Sequence, residues 1–244
     1  MTTMIQLSEF DVNLVQFAAP KKLDQGGVIG ITYNGENALM IKLPVGRVPF
    51  DCSKGYQDKG TKIEMKIELP AASPEFEVAR RVLSEIDTAV RNHLRDAAND
   101  ICAAIVLKGA KEKDLRAGIN FHGLLRPSTK PRYPDSVTLK WAAPDPTKPS
   151  TKDVPIVDIQ NNPVTWETIK RGAQVVAVVR VKGVFVNTNL AAVQVEPIAV
   201  CVVSAKKEVA TVDLFAEEME LHSAKRQRVV GPSEAEEEEG DEES

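Results

Sequence analysis

A chain of 244 residues, 43% hydrophobic and 27% charged, can bury a real core over most of its length, which excludes a largely disordered protein. The formal net charge of -4 is small, no apolar run reaches membrane-spanning length, and Met1 to Phe10 lacks the basic-then-apolar order of a secretory leader. Cys52, Cys102 and Cys201 are odd in number and widely spaced, so the sequence predicts neither a disulfide framework nor a zinc site, and a reducing intracellular compartment.

Residues 1–34 read as strands and loops expected to pack on the core. Gly26, Gly27 and Gly30 miss the dinucleotide-binding spacing and are expected to mark a mobile turn. Ala38 to Leu43 is a short apolar strand stopped by Pro44. Gly55 to Lys62 has the outline of a phosphate loop, but Thr61 precedes Lys62 and no helix follows, so the motif fails. From Thr61 to Leu69 the chain alternates strictly: Ile63, Met65, Ile67 and Leu69 share one face, Lys62, Glu64, Lys66 and Glu68 the other. That is the pattern of a half-buried strand.

The clearest helix follows. Ser73 suits the N-cap, Pro74 the first turn and Glu75 the positive end of the helix dipole. Ala79, Val82, Leu83, Ile86, Val90, Leu94 and Ala97 then recur at three- and four-residue steps, predicting a helix over about 74–98. Periodicity leaves open whether Ile101 to Leu107 continues it.

After Gly109 the sequence reads as irregular and basic. Lys108, Lys111, Lys113, Arg116, Arg126, Lys130, Arg132 and Lys140 face only Glu112, Asp114 and Asp135, with Phe121, Tyr133 and Trp141 interleaved. Cations for phosphates and aromatic faces for bases are what single-stranded nucleic acid requires. The alternative is a solvated basic loop with three core aromatics. Val137 to Trp141 reads as a strand, residues 142–163 as a long loop with a short strand near Ile156 to Ile159.

Gln174 to Val181, Val184 to Val186 and Ala191 to Val203 are dense in β-branched residues and predict strands, with a bend at Lys182-Gly183. Arg180 and Lys182 share a face by parity. With Lys170, Arg171, Trp166 and Phe185 they form a second basic and aromatic group, for which a polar sheet face is the alternative.

Beyond Ala205 comes a linker, 205–231, with a short helix near Val209 to Leu221 and a basic run, Lys225 to Arg228, of the kind that serves nuclear import. From Pro232 onward Glu234, Glu236, Glu237, Glu238, Glu239, Asp241, Glu242 and Glu243 stand with no Lys or Arg. Removing these eight from the 35 acids leaves 27 against 31 bases, so the body is about +4 and the tail about -8. Such a run cannot bury enough surface to order itself. It either solubilises the protein or imitates nucleic acid and occupies a basic groove until DNA displaces it.

His93, His122 and His222 lie far apart, no nucleophile motif is present, and no enzyme activity, cofactor or metal is expected. Strands, a long helix and more strands, without regular alternation, predict an α+β, mainly β domain.

The segment order resembles the single-stranded DNA-binding proteins of nucleocytoplasmic large DNA viruses, relatives of those in short-tailed phages. The landmarks are Leu43-Pro44 and Pro49-Phe50, the alternating strand Thr61 to Leu69, and the helix core Leu83 to Asp87. Tyr133-Pro134, Leu139-Lys140, Arg171-Gly172 and Phe185 complete the order. Asp51 and Phe185 depart from it, standing where Gly and Trp are frequent, and the last residues, Glu243-Ser244, stand where the phage proteins end on an aromatic.

The resemblance implies an OB-fold, a Greek-key barrel over 35–204 with the long helix inserted, and coating of single strands in replication, recombination or repair, in the nucleus or a viral replication compartment. It also implies replication partners docking on the acidic tail; a homodimer is left open. The residues expected to stack are Tyr133, Trp141 and Phe185, with Arg126, Lys130, Arg132, Lys140, Arg180 and Lys182 on phosphates. The competing reading is an acidic-tailed interaction protein or histone-chaperone-like factor whose ligand is basic protein.

Overall fold

The structure is a computed structural model that describes residues 4–35, 37–55, 61–69, 74–107, 109–118, 120–130, 133–144 and 153–204. The expected N-cap Ser73, Lys108, Arg132, the linker helix, the basic run 225–228 and the acidic tail lie outside the described residues. By contacts the chain divides into Met1–Lys206, which holds every described residue, and Lys207–Ser244.

The chain opens with short strands β1 (Met4–Ile5), β2 (Val15–Phe17) and β3 (Lys21–Leu23), then β4 (Gly26–Tyr33) and β5 (Asn37–Lys42). Asn34 and Gly35 turn between β4 and β5 with positive φ of 51° and 87°, a conformation that Asn tolerates and Gly adopts freely. The expected mobile turn at Gly26, Gly27 and Gly30 is instead the body of β4. These glycines permit close packing: a Cβ on Gly27 would overlap the side chain of Ile105.

Next come β6 (Gly46–Arg47), β7 (Ser53–Lys54) and β8 (Lys62–Leu69). β8 behaves as its alternation requires, with Ile63, Met65, Ile67 and Leu69 all buried. Three helices then intervene: α1 (Pro74–Asp96), α2 (Ala98–Ile105) and α3 (Gly109–Ala117). α1 buries Ala79, Val82, Leu83, Ile86, Val90 and Leu94 along one stripe, and Glu75, Glu77 and Arg95 suit its dipole at either end.

Helicity breaks at Ala97, so Ile101 belongs to a second helix that ends where Val106 turns left-handed at φ 56°. The stretch read as irregular after Gly109 is α3. Leu115 and Lys111 are buried, and Arg116 pairs with Glu112 one turn back at 3.0 Å.

After the helices run β9 (Phe121–His122), β10 (Leu125–Arg126), β11 (Asp135–Ala142), β12 (Ile156–Asp158), β13 (Gln174–Val186) and β14 (Ala191–Ser204). β11 pairs antiparallel with β8 over its whole length, so the helices are an insertion between adjacent strands. β13 is the spine: β6, β5 and β4 pair along one edge and β14 along the other. The sheet curls until β11 comes against β14. This is the mainly β, OB-type fold with an inserted helix that the sequence predicts.

The expected bend at Lys182-Gly183 is a bulge inside one continuous strand. Gly183 lies so close to β4 that a Cβ would overlap the Ile29 carbonyl. Among the described residues, the far edge of β14 is paired only at Ala191–Ala192, by β9, and at Val200–Val202, by β12.

Candidate nucleic-acid interface

Directly opposed residues in a sheet share a face, and one row crosses five strands in register. Gln174 on β13 faces Arg47 on β6, Arg47 faces Glu68 on β8, Glu68 faces Ser136 on β11, and Ser136 faces Arg126 on β10. This is the outward face of the alternation that sends Ile67 and Val137 into the core. It floors a groove of about 720 Å³.

One wall is formed by Pro127, Ser128, Thr129 and Lys130 with Tyr133 and Pro134. Asp135 holds it, accepting the Ser128 backbone N–H at 3.1 Å and the Arg80 guanidinium at 2.6 Å. The Ser128 hydroxyl donates to the Lys130 carbonyl at 2.9 Å, and the Tyr133 N–H donates to the same carbonyl at 3.0 Å. Lys130 and Tyr133 are thus presented on a braced turn, with Tyr133 58% exposed.

The opposite wall is Pro49-Phe50 with Arg171. Asp51 accepts the Arg171 N–H at 2.7 Å, and the Gly172 N–H donates to the Val48 carbonyl at 2.7 Å, so the two segments hold each other. Phe50 is 64% exposed, and the Lys66 ammonium stands 6.0 Å from its ring centroid. An aromatic ring this bare is unfavourable in water unless something covers it. Among the described residues, Arg47, Lys66, Arg126, Lys130 and Arg171 line the groove with Glu68 as the one carboxylate. Basic groups and open aromatic faces therefore meet in one concavity.

Arg126 is placed through α1. Asp87, buried, accepts the N–H groups of Leu124 at 2.7 Å and Leu125 at 3.0 Å, and a Cβ on Gly123 would overlap its carboxylate. Burial pushes the Asp87 carboxyl up to about 6. The two N–H donors, Arg91 and Arg126 pull it partly back.

Of the residues expected from sequence, Arg126, Lys130 and Tyr133 line the groove. Trp141 is a correction: it is 8% exposed and faces the core with Val137 and Leu139, whose parity it shares, so it offers no open face for a base. Lys140 points outward but pairs with Glu64 at 2.9 Å.

Arg180 and Lys182 do share a face, yet both are tied to Glu196, Arg180 through a short contact and Lys182 at 2.9 Å. Burial pushes the Glu196 carboxyl up, but the bonds from Lys182 and Arg180 outweigh this and hold it below the ordinary carboxylate range. Phe185 is half-buried opposite Val28 and Ala192, outside the groove. Among the described residues, no group of three or more His, Cys, Asp or Glu is placed to hold a metal, and no helix is long and apolar enough to cross a membrane.

No protein-family model and no curated protein matches the sequence. Solved structures do resemble the fold. The single-stranded DNA-binding protein from bacteriophage Enc34 in complex with ssDNA superposes with a TM-score of 0.43 at 14% identity, covering 80% of this chain and 99% of that one. A C-terminal truncation of the same phage protein gives 0.43 at 12%, covering 80% and 97%. A further structure of the single-stranded DNA-binding protein from bacteriophage Enc34 gives 0.40 at 13%, covering 82% and 99%.

Sequence reasoning missed Phe50, Arg47, Lys66 and Glu68 as groove residues, and set Arg171 in a second basic group with Arg180 and Lys182. Phe50 and Arg171 each stood in a landmark pair, Pro49-Phe50 and Arg171-Gly172, but nothing local joins positions so far apart. The pairing of β6 with β13, the Asp51 bond and the Gly172–Val48 bond do so.

Proposed function

We propose that this chain binds single-stranded DNA with little dependence on sequence, as the resemblance to viral and phage single-stranded DNA-binding proteins implies, and acts in replication, recombination or repair. The observation that carries the reading is the pair of exposed rings, Phe50 and Tyr133, among five cations in one groove. Each stacked base contributes on the order of 1–3 kcal/mol, and phosphate neutralisation makes the affinity fall steeply with salt. No covalent chemistry is part of this reading.

The acidic tail, residues 232–244, competes for the same groove and is released for partner proteins when DNA enters. The basic run 225–228 directs the protein to a nucleus or a viral replication compartment.

Fluorescence titration with single- and double-stranded oligonucleotides across salt, for full-length and tail-less chains, tests the proposal. Tighter binding of the single strand, tightened further at low salt by deleting 232–244, is expected. Equal affinity for both forms would sink the stacking model, because duplex bases are not available to Phe50 and Tyr133. If tail deletion instead abolishes binding of a basic protein ligand and leaves DNA unbound, the chain is an acidic-tailed interaction factor.

A further inference from the structure

Among the described residues, a groove built for a polyanion carries one carboxylate at its floor. Glu68 belongs to the outward face of β8, yet it is only 8% exposed, because the groove walls cover it. Arg47 and Ser136 stand directly opposite on the two neighbouring strands. Despite the surrounding cations, Glu68 forms no ion pair or hydrogen bond with any described residue. A carboxylate so little exposed, with no partner among the described residues, is poorly hydrated, and against phosphate it is repulsive as well. Those costs are offset if the ligand itself brings hydrogen-bond donors to this point.

An ionised carboxylate only accepts, and it can take two parallel N–H groups at once. Among the DNA bases, guanine alone has two adjacent donors on its Watson–Crick edge, N1–H and the 2-amino group. Thymine flanks its single N–H with two carbonyl oxygens, which a carboxylate repels. Cytosine and adenine each place a ring acceptor beside their amino group. A base stacked on Phe50 or Tyr133 turns its edge into the groove, since stacking uses only the ring face.

We infer that Glu68 reads the Watson–Crick edge of an unpaired guanine, giving this groove a guanine preference on top of its general affinity for single strands. The inference rests on the single-stranded DNA reading above. Ser136, 2% exposed beside Glu68, fixes the floor on which that edge lands.

The test is competition binding of short oligo-dT against the same oligonucleotide carrying one central guanine, inosine or 7-deazaguanine. Guanine and 7-deazaguanine are expected to bind about tenfold tighter than thymine, as one good base contact provides. Inosine, lacking the 2-amino group, loses most of that gain. In Glu68→Gln the preference disappears, while affinity for oligo-dT rises because a negative charge has left the groove.

Equal binding of all four oligonucleotides by the native chain overturns the inference and leaves the single-stranded DNA reading intact. A guanine preference lost on 7-deaza substitution also overturns it, because it assigns the contact to an arginine on O6 and N7. The base analogues need no variant, so a poorly folding Glu68→Gln does not rescue the idea. If no oligonucleotide binds, both readings fail.

Discussion

Asp87 on α1 and Leu124, 37 residues further along, are joined by a 2.7 Å hydrogen bond from the Leu124 N–H to the carboxylate, and the Leu125 N–H binds the second oxygen. A helix side chain thus fixes the start of the strand that carries Arg126 into the groove. The carboxylate has no substitute here, because two N–H groups need two acceptors.

Asp87→Asn keeps one acceptor and sets an amide N–H against a backbone N–H. A loss of about 1–3 kcal/mol of stability at pH 7 is expected, read from denaturant unfolding. Because burial raises the folded-state carboxyl to about 6, above the ordinary aspartate value of 3.8, the native protein holds that proton more tightly than the unfolded chain. Its contribution is therefore fully present below about pH 4 and falls as pH rises through 6. The variant lacks this dependence, so its penalty should be larger at pH 5 than at pH 7.5, by about 1 kcal/mol. An equal penalty at both values would show that Asp87 does not titrate in this range.

Phe50→Ala and Tyr133→Ala should each weaken oligo-dT binding about tenfold or more while leaving the melting temperature nearly unchanged, since both rings are more than half exposed. Trp141→Ala should do the reverse. It empties a core position and costs about 3–5 kcal/mol of stability, with little effect on the affinity of the molecules that remain folded.

The slope of log affinity against log salt separates the two basic groups. Arg171→Ala or Lys130→Ala should reduce it by about 0.7, the loss of one phosphate contact on a single strand. Lys182→Ala should barely alter it, because Lys182 is already paired with Glu196. A full reduction from Lys182→Ala would place DNA across β13 and β14 as well.

Thiol reactivity offers a check on burial. Cys52 is buried and its thiol is pushed up to about 12, first by burial and then by Glu167; burial also raises Cys102. Cys201 is only half-buried. With Ellman's reagent at pH 8, Cys201 should react well ahead of the other two, and all three together in denaturant.

The elements legible in the sequence are those whose pattern is local. β8 could be read because every second residue is apolar, and α1 because its apolar stripe runs unbroken to Leu94. β13 could not be read as one strand, since a Lys-Gly step looks like a turn until β4 and β14 pair through it. For the site, cations beside Tyr133 were visible in Arg126 to Tyr133, whereas the placement of Trp141 followed from a parity it shares with Val137 and Leu139. Phe50 and Glu68 were legible only as pattern elements, and Arg171 only as part of another basic group, because the groove joins them through pairings distant in sequence.

The position of β13 has a consequence for synthesis. The spine on which β4, β5 and β6 pair is among the last described segments to be made, so Ile29 waits for Val184. At about 5–20 residues per second, a nascent chain spends many seconds with those strands unable to close their sheet. Contacts this distant also slow the closure itself. The newborn protein therefore depends on α1 and the β8–β11 hairpin to shelter its apolar faces, and truncation ahead of residue 174 should yield an aggregating fragment in place of a smaller domain.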